Sequence, residues 1–331
     1  MVAIFGFVPV LLFLALLFLL DSFKLVKPRL LVLCLLYGIA ATGLSYFFNT
    51  WVILSTGISF ESLSRYVAPI AEEFLKALVI FYLVAARQVG FMVDAAIYGF
   101  AVGTGFALAE NTWYYWNLGT DFSALLAIIR GFGTALMHGG TMSICAIFLI
   151  EGIQRSSPAW RAGFIGLLAA MLLHSLFNHF WLNPLMQTML IIVILPLALY
   201  LVFMRSTRHL QQWLEVAFSS EVDMLRMIKQ GQFRNTRAGQ YLASLKEHFA
   251  PDVLLDLYCF LSLYLELSIK TKRNLMLKEN GFPVILESDI PSKLTEFKQL
   301  RKQIGKAGEM ALYPLVRMRQ RELWELNQLE N

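Results

Sequence analysis

The chain has 331 residues, of which 57% are hydrophobic and only 15% are charged. This composition excludes an ordinary soluble protein and is typical of a polytopic membrane protein. The charge is uneven, since residues 1–204 contain 9 Lys and Arg with 8 Asp and Glu, whereas residues 205–331 contain 19 and 15. The sequence therefore predicts an apolar membrane domain over 1–204 and a separate, charged domain over 205–331.

Seven apolar segments follow one another in the first domain. A helix needs about 20 mainly apolar residues to cross the hydrocarbon core of a bilayer. Segments of about this length lie at 2–20, 29–49, 66–86, 91–116, 131–151, 161–182 and 185–204. The first has neither a basic flank before it nor a small-residue cleavage site, so we interpret it as a span and not as a signal peptide. We predict an all-α, polytopic membrane bundle of about seven transmembrane helices.

The loops between these segments differ in their basic residues. If the seven spans are correct, Lys24, Lys27, Arg87, Arg155 and Arg161 all fall on one side of the membrane. The positive-inside rule assigns this side to the cytoplasm. The N-terminus is then outside, and residues 205–331 lie in the cytoplasm.

The second domain is predicted to be helical. Its apolar run at 253–269 contains Asp256 and Glu266, so we expect a buried helix there and not an eighth span. The net charge of +4 (19 minus 15) suits an anionic inner leaflet, and a solvated helical face explains it equally well. The domain contains no nucleic-acid motif, so no nucleic-acid partner is expected. The three cysteines form no CxxC pair and are interpreted as small buried apolar residues.

Strongly polar side chains occur inside four of the predicted spans. The third span contains the adjacent pair Glu72 and Glu73, and the fourth contains Glu110. The fifth contains His138, and the sixth contains His174 with Asn178 one turn later. At a rise of about 1.5 Å per residue, Glu72, Glu110, His138 and His174 all lie roughly 9–12 Å below the outer face. Because charged groups at this depth are costly, they indicate a functional site with partners nearby.

This set of side chains suits a catalytic metal. Two imidazoles and one carboxylate commonly hold a catalytic Zn²⁺ and leave a fourth position for water, and a further carboxylate can act as general base. Asn178 could donate a hydrogen bond to a developing oxyanion. The alternative is that each polar group is satisfied separately, for example Glu72 by Lys76 at i+4. Separate pairs have no reason to share one depth, so we favour a common site.

Four short motifs also resemble those of a known family. "EEFLK" (72–76), "FALAEN" (106–111), "MHGGT" (137–141) and "HSLFN" (174–178) resemble the motifs of the PrsW family of bacterial intramembrane proteases. They are more distantly similar to the CAAX endopeptidase and bacteriocin-processing family. The resemblance covers about residues 66–182 and none of 205–331.

The resemblance implies a membrane-anchored protein substrate, cleaved near the outer face of the bacterial inner membrane. For PrsW it implies an anti-sigma factor. In the distant relatives the first glutamate is the catalytic one, so we expect Glu72 to be the general base and Glu73 to pair with Lys76. The metal ligands are then expected to be Glu110, His138 and His174.

Two other functions stay open at this point. One is a metal-independent protease in which the glutamates activate water and the histidines donate to the oxyanion. The other is a proton-coupled transporter, because intramembrane acids and histidines also build proton relays. Transporters tend to contain paired repeats with broken helices, and the seven predicted spans contain no two-fold match.

Overall fold

The computed structural model describes residues 3–118, 125, 127–284, 287–316, 318 and 320–329. Every regular element within these ranges is helical, which confirms the predicted all-α class. The chain divides into two compact units, Met1–Thr207 and Arg208–Asn331. We call them the membrane unit and the second unit.

The seven predicted spans correspond to seven helices. Their bounds are α1 (Ala3–Leu19), α2 (Pro28–Thr56), α3 (Ala68–Ala85), α4 (Met92–Leu118), α5 (Ala135–Gln154), α6 (Ala159–Asn178) and α7 (Pro184–Lys229). Within the described residues, five of them (α2, α4, α5, α6 and α7) are long and apolar enough to cross a membrane. The apolar part of α1, Gly6–Leu19, is shorter, and α3 carries Glu72, Glu73 and Lys76. The protein is a helical membrane bundle.

Helices α4 and α5 form the centre of the membrane unit. Most residues of both helices are buried, whereas most residues of α2, α6 and α7 are exposed or only partly buried. The two central helices approach closely at Gly99 and Gly103. A β-carbon at Gly103 would lie 2.1 Å from the carbonyl oxygen of His138, and one at Gly99 would lie 2.5 Å from that of Met142. Small residues spaced four apart allow this backbone contact, which holds α5 against α4 at the level of His138.

Two π-helical segments precede helices of the bundle. Leu63–Val67 leads into α3, and Ala127–Thr134 leads into α5. Pro69 near the start of α3 has no N–H to donate to the preceding turn, where the carbonyl oxygens of Ser64 and Arg65 instead accept hydrogen bonds from Asn178 and Ser175. Single π turns occur frequently at functional sites, and these two segments lead into the helices that carry Glu72 and His138.

In the described part of the second unit, four α-helices follow the end of α7. They are α8 (Arg237–Ser244), α9 (Pro251–Glu279), α10 (Ile290–Leu312) and α11 (Gln320–Asn327). The apolar run 253–269 lies in α9, where Leu257, Phe260 and Tyr264 are buried. Phe260 stacks on Phe297 of α10 with ring centroids 4.7 Å apart. This run is therefore part of the core of the second unit.

Candidate active site

A buried lysine lies at the centre of the polar residues of the membrane unit. Lys76 of α3 is fully buried, and its Nζ lies 2.6 Å from Oε1 of Glu73 one turn earlier. The same ammonium lies 2.9 Å from Nδ1 of His138 and 4.8 Å from the ring centroid of Phe106. The structure thus pairs Lys76 with Glu73, the second glutamate of the pair, and not with Glu72.

Glu73 joins three helices through one carboxylate. Its Oε1 lies 2.7 Å from Nδ1 of His174 on α6, and the hydroxyl of Thr141 on α5 donates to both of its oxygens at 3.2 Å. Glu73 is fully buried. Because an ionised carboxylate only accepts hydrogen bonds, Nδ1 of His174 carries the proton, which leaves Nε2 of that ring without one.

Each of the two histidines has a carboxylate near Nε2. Nε2 of His138 lies 3.0 Å from Oε2 of Glu110, and Nε2 of His174 lies 3.9 Å from Oε2 of Glu72. The two imidazole rings are perpendicular, with centroids 4.8 Å apart. The side chains of Glu72 and Glu110 are 12% and 25% exposed, whereas both histidines are almost fully buried. The accessible side of the site is therefore formed by Glu72 and Glu110.

Three donor atoms of the site are close enough together to share a single metal ion. One ligand atom each from Glu72, His138 and His174 lie within 4.8 Å of one another. Two histidines and one glutamate are an established ligand set for catalytic zinc, which binds each ligand at about 2 Å. Glu73 contacts the far nitrogen of His174, as carboxylates commonly do for metal-bound histidines, where they fix the ring orientation and tautomer.

Asn178 lies at the end of α6, one turn beyond His174, and contacts a different partner. Its amide nitrogen donates to the carbonyl oxygen of Ser64 at 2.9 Å. Three residues earlier on the same helix, the hydroxyl of Ser175 donates to the carbonyl oxygen of Arg65 at 2.6 Å. Both carbonyls belong to the π-helical turn before α3. In this structure the side chain of Asn178 thus attaches α6 to the beginning of α3, and it does not face the two histidines.

Asn49 of α2 is a member of the site that the motifs do not include. Its amide nitrogen donates to Oε1 of Glu72 at 3.2 Å. The only sequence signal for it is an isolated amide side chain at the end of a predicted span, 29–49. Polar residues inside spans generally face the bundle interior. The sequence therefore indicates that Asn49 faces the interior, but it does not indicate which residue Asn49 contacts.

A membrane bundle that gathers two histidines and three glutamates between its helices has the side chains that an intramembrane, metal-dependent hydrolase requires. The family model of the PrsW family of intramembrane metalloproteases matches residues 27–204, just over half of the chain, and the chain belongs to this family. It is therefore an enzyme, an intramembrane peptidase that acts within the lipid bilayer on a membrane-embedded peptide substrate. The match confirms the resemblance drawn from the motifs and extends it to α2 and the first part of α7. No curated protein and no solved structure matches the chain.

Proposed function

We propose that the protein is a zinc-dependent protease that hydrolyses a peptide bond of a membrane-anchored protein near the outer face of the bacterial inner membrane. The observation that carries this proposal is the meeting of Glu72, His138 and His174 from three different helices. A bound zinc ion supplies Lewis acidity and lowers the pKa of its water to about 7. The remaining roles belong to the side chains around these three ligands.

We assign the role of general base to Glu110 and the role of metal ligand to Glu72. These roles are the reverse of those expected from the sequence. Glu72 belongs to the group of three donors that lie within reach of one ion, and Glu110 does not. Glu110 is the more exposed of the two carboxylates and lies 3.0 Å from Nε2 of His138. It is thus on the accessible side, where it can take a proton from the attacking water and deliver it to the leaving amine.

Glu73 and Lys76 hold the ligands in place. Glu73 fixes the tautomer of His174 by accepting from its Nδ1, and Lys76 balances the charge of Glu73 inside the bundle. Burying a carboxylate without such partners would cost several kcal/mol. Asn178, whose predicted role was oxyanion stabilisation, is assigned to the attachment of α6 to the turn that begins α3.

One contact favours the metal-independent mechanism as a second candidate. Lysine ammonium only donates hydrogen bonds, so Lys76 at 2.9 Å makes Nδ1 of His138 an acceptor. The proton of His138 then resides on Nε2 and is donated to Glu110. In that arrangement Glu72 and Glu110 would activate water directly, and measurement of bound zinc distinguishes the two mechanisms.

The position of the site in the membrane is proposed from the helix ends. Exposed tryptophans lie near the C-terminal ends of three spans, at Trp51 of α2, Trp113 of α4 and Trp181 just after α6. Tryptophan is enriched at both membrane–water interfaces. With the basic loops in the cytoplasm, these ends are on the outside, the N-terminus is outside, and residues 205–331 form a cytoplasmic domain. The proposed substrate is a single-pass membrane protein, and an anti-sigma factor is the specific class expected.

The roles of Glu72 and Glu110 can be tested by measuring zinc content and cleavage separately. The purified full-length protein in liposomes is given a model single-pass substrate, and Glu72→Gln, Glu110→Gln and the control Glu61→Gln are compared. Glu61 is exposed and pairs only with Arg65 among the described contacts. Glu110→Gln is expected to retain zinc and to lower turnover by about 10²–10⁴-fold, whereas Glu72→Gln is expected to lose zinc. The opposite pattern would restore Glu72 as the base and Glu110 as the ligand.

A further inference from the structure

Asn49 makes a single directional contact with the site. Its amide nitrogen lies 3.2 Å from Oε1 of Glu72, while the other oxygen of that carboxylate, Oε2, lies 3.9 Å from Nε2 of His174. Glu72 is ionised when it binds a metal, and an ionised carboxylate only accepts hydrogen bonds, so the amide then presents its NH₂ group to Glu72. The orientation of the Asn49 amide is thus determined by Glu72.

The other end of the amide lacks a comparable partner. Oδ1 of Asn49 is buried and has no hydrogen-bond partner among the described residues. Leaving a buried acceptor unpaired costs about 1–3 kcal/mol. A leucine of similar size would avoid this cost on a helix whose neighbouring residues Phe47, Phe48 and Trp51 are apolar. Stability alone therefore does not explain an asparagine at this position, and the donor to Glu72 is the property that a leucine would lose.

We propose that Asn49 is a positioning residue that holds the carboxylate of Glu72 in the orientation required for metal binding. By fixing Oε1, it directs Oε2 toward the nitrogen of His174. The inference rests on the proposed function, in which Glu72 is a metal ligand. It adds a fourth helix, α2, to the three that carry the ligands.

The test is the zinc affinity of the full-length protein, measured by competition with a chromogenic chelator. Asn49→Leu removes the donor at similar volume, and Asn49→Asp removes it while adding a second negative charge beside Glu72. The matched controls are Asn117→Leu and Asn117→Asp, since the amide of the exposed Asn117 bonds to the carbonyl of Trp113 in its own helix. Removing a residue that orients a metal ligand typically costs 10–100-fold in metal affinity. We expect a loss of about this size in both Asn49 variants and unchanged affinity in both Asn117 variants.

A second readout separates positioning from a general loss of structure. Turnover of Asn49→Leu is measured at increasing free zinc, and saturating zinc is expected to restore most of the activity. Misfolded protein would not be restored. If Glu72→Gln loses zinc but Asn49→Leu keeps a zinc affinity within about twofold of wild type, the proposed role of Asn49 is wrong. The proposed function would then still stand. A wild-type enzyme that is active and binds no zinc would instead overturn the proposed function.

Discussion

Each unit of the protein contains a fully buried lysine, and the two lysines have the same kinds of direct partner. In the membrane unit, Lys76 pairs with Glu73 and lies over the ring of Phe106. In the second unit, Nζ of Lys272 lies 2.8 Å from Glu221 and 2.7 Å from Glu325, and 4.7 Å from the ring centroid of Trp213. Both lysines therefore combine carboxylate pairing with an aromatic face.

The difference lies in what surrounds each lysine. Around Lys76 there are two histidines and, beyond them, the partly exposed carboxylates of Glu72 and Glu110. Around Lys272 there is the hydroxyl of Ser268, and both Ser268 and Glu325 are fully buried. A buried charge pair alone is weak evidence even for stability. What distinguishes the cluster of the membrane unit is its two histidines, whose ring nitrogens can bind a metal ion together with a carboxylate.

The largest expected effect is the loss of catalysis when a histidine of the membrane unit is removed. His138→Ala and His174→Ala are each expected to abolish cleavage of a membrane-anchored substrate, because each removes a proposed metal ligand. The variants should still fold, as checked by size-exclusion chromatography in detergent. A folded variant that cleaves at close to the wild-type rate would exclude that histidine from the site.

Removal of the buried lysine of the second unit is expected to lower the stability of that unit and to leave turnover almost unchanged. Lys272→Met removes the cation that directly pairs with the fully buried Glu325 and the partly buried Glu221, so the free energy of unfolding of the second unit should fall by about 3–5 kcal/mol. Turnover should change by less than about threefold under conditions where this unit is folded. Urea unfolding, followed by limited proteolysis and mass-spectrometric mapping of cuts within residues 208–331, measures the stability. Loss of cleavage in a folded Lys272→Met variant would mean that the second cluster serves the reaction.

A smaller effect is expected from pH, through Glu325. Burial raises the pKa of Glu325 to about 7; Lys272 opposes this shift, Glu221 adds to it, and Ser268 donates a hydrogen bond that opposes it. Arg321 also interacts with Glu325. A carboxyl whose pKa is raised in the folded state contributes most to stability below its unfolded pKa, and this contribution is lost as the pH rises through the folded pKa. The urea midpoint of the second unit should therefore fall between pH 5 and pH 8.

Glu325→Gln should remove most of this pH dependence. Hydrogen bonds from Lys270 and Arg273 lower the pKa of Glu287. The contribution of Glu287 to stability is therefore lost only as the pH falls below the range of an ordinary glutamate, outside the pH range of the measurement. An equal slope of urea midpoint against pH in wild type and Glu325→Gln would assign the pH dependence to another group.

The smallest effect is expected at the exposed pair of Asp223 and Arg226. Asp223→Asn should change the free energy of unfolding of the second unit by less than about 0.5 kcal/mol and leave its pH dependence unchanged.

Much of the membrane unit could be predicted because the bilayer restricts what its sequence can contain. Length and apolarity located the helices, and the shared depth of Glu72, Glu110, His138 and His174 placed them at one level. The contact between Glu72 and Asn49 could not be predicted in this way, since it depends on how α2 crosses α3. Which carboxylate joins the two histidines also depends on side-chain direction, which depth does not determine.

The cluster of the second unit was not predicted at all. Its members Glu221, Lys272 and Glu325 come from three helices that are far apart in sequence, so no spacing indicates their contact. In a charged domain, lysine and glutamate are expected at the surface. In the membrane unit the same residue types are exceptional, and this is why they could be recognised there and not here.

The metal content of the purified full-length protein is the most direct test of the central claim, that the histidine cluster of the membrane unit is a metal-dependent catalytic site. Elemental analysis should find about one zinc ion per chain in the wild type and in Lys272→Met. His138→Ala and His174→Ala should contain almost none. A wild-type enzyme that cleaves its substrate at full rate without bound metal would contradict the claim and would favour direct activation of water by Glu72 and Glu110.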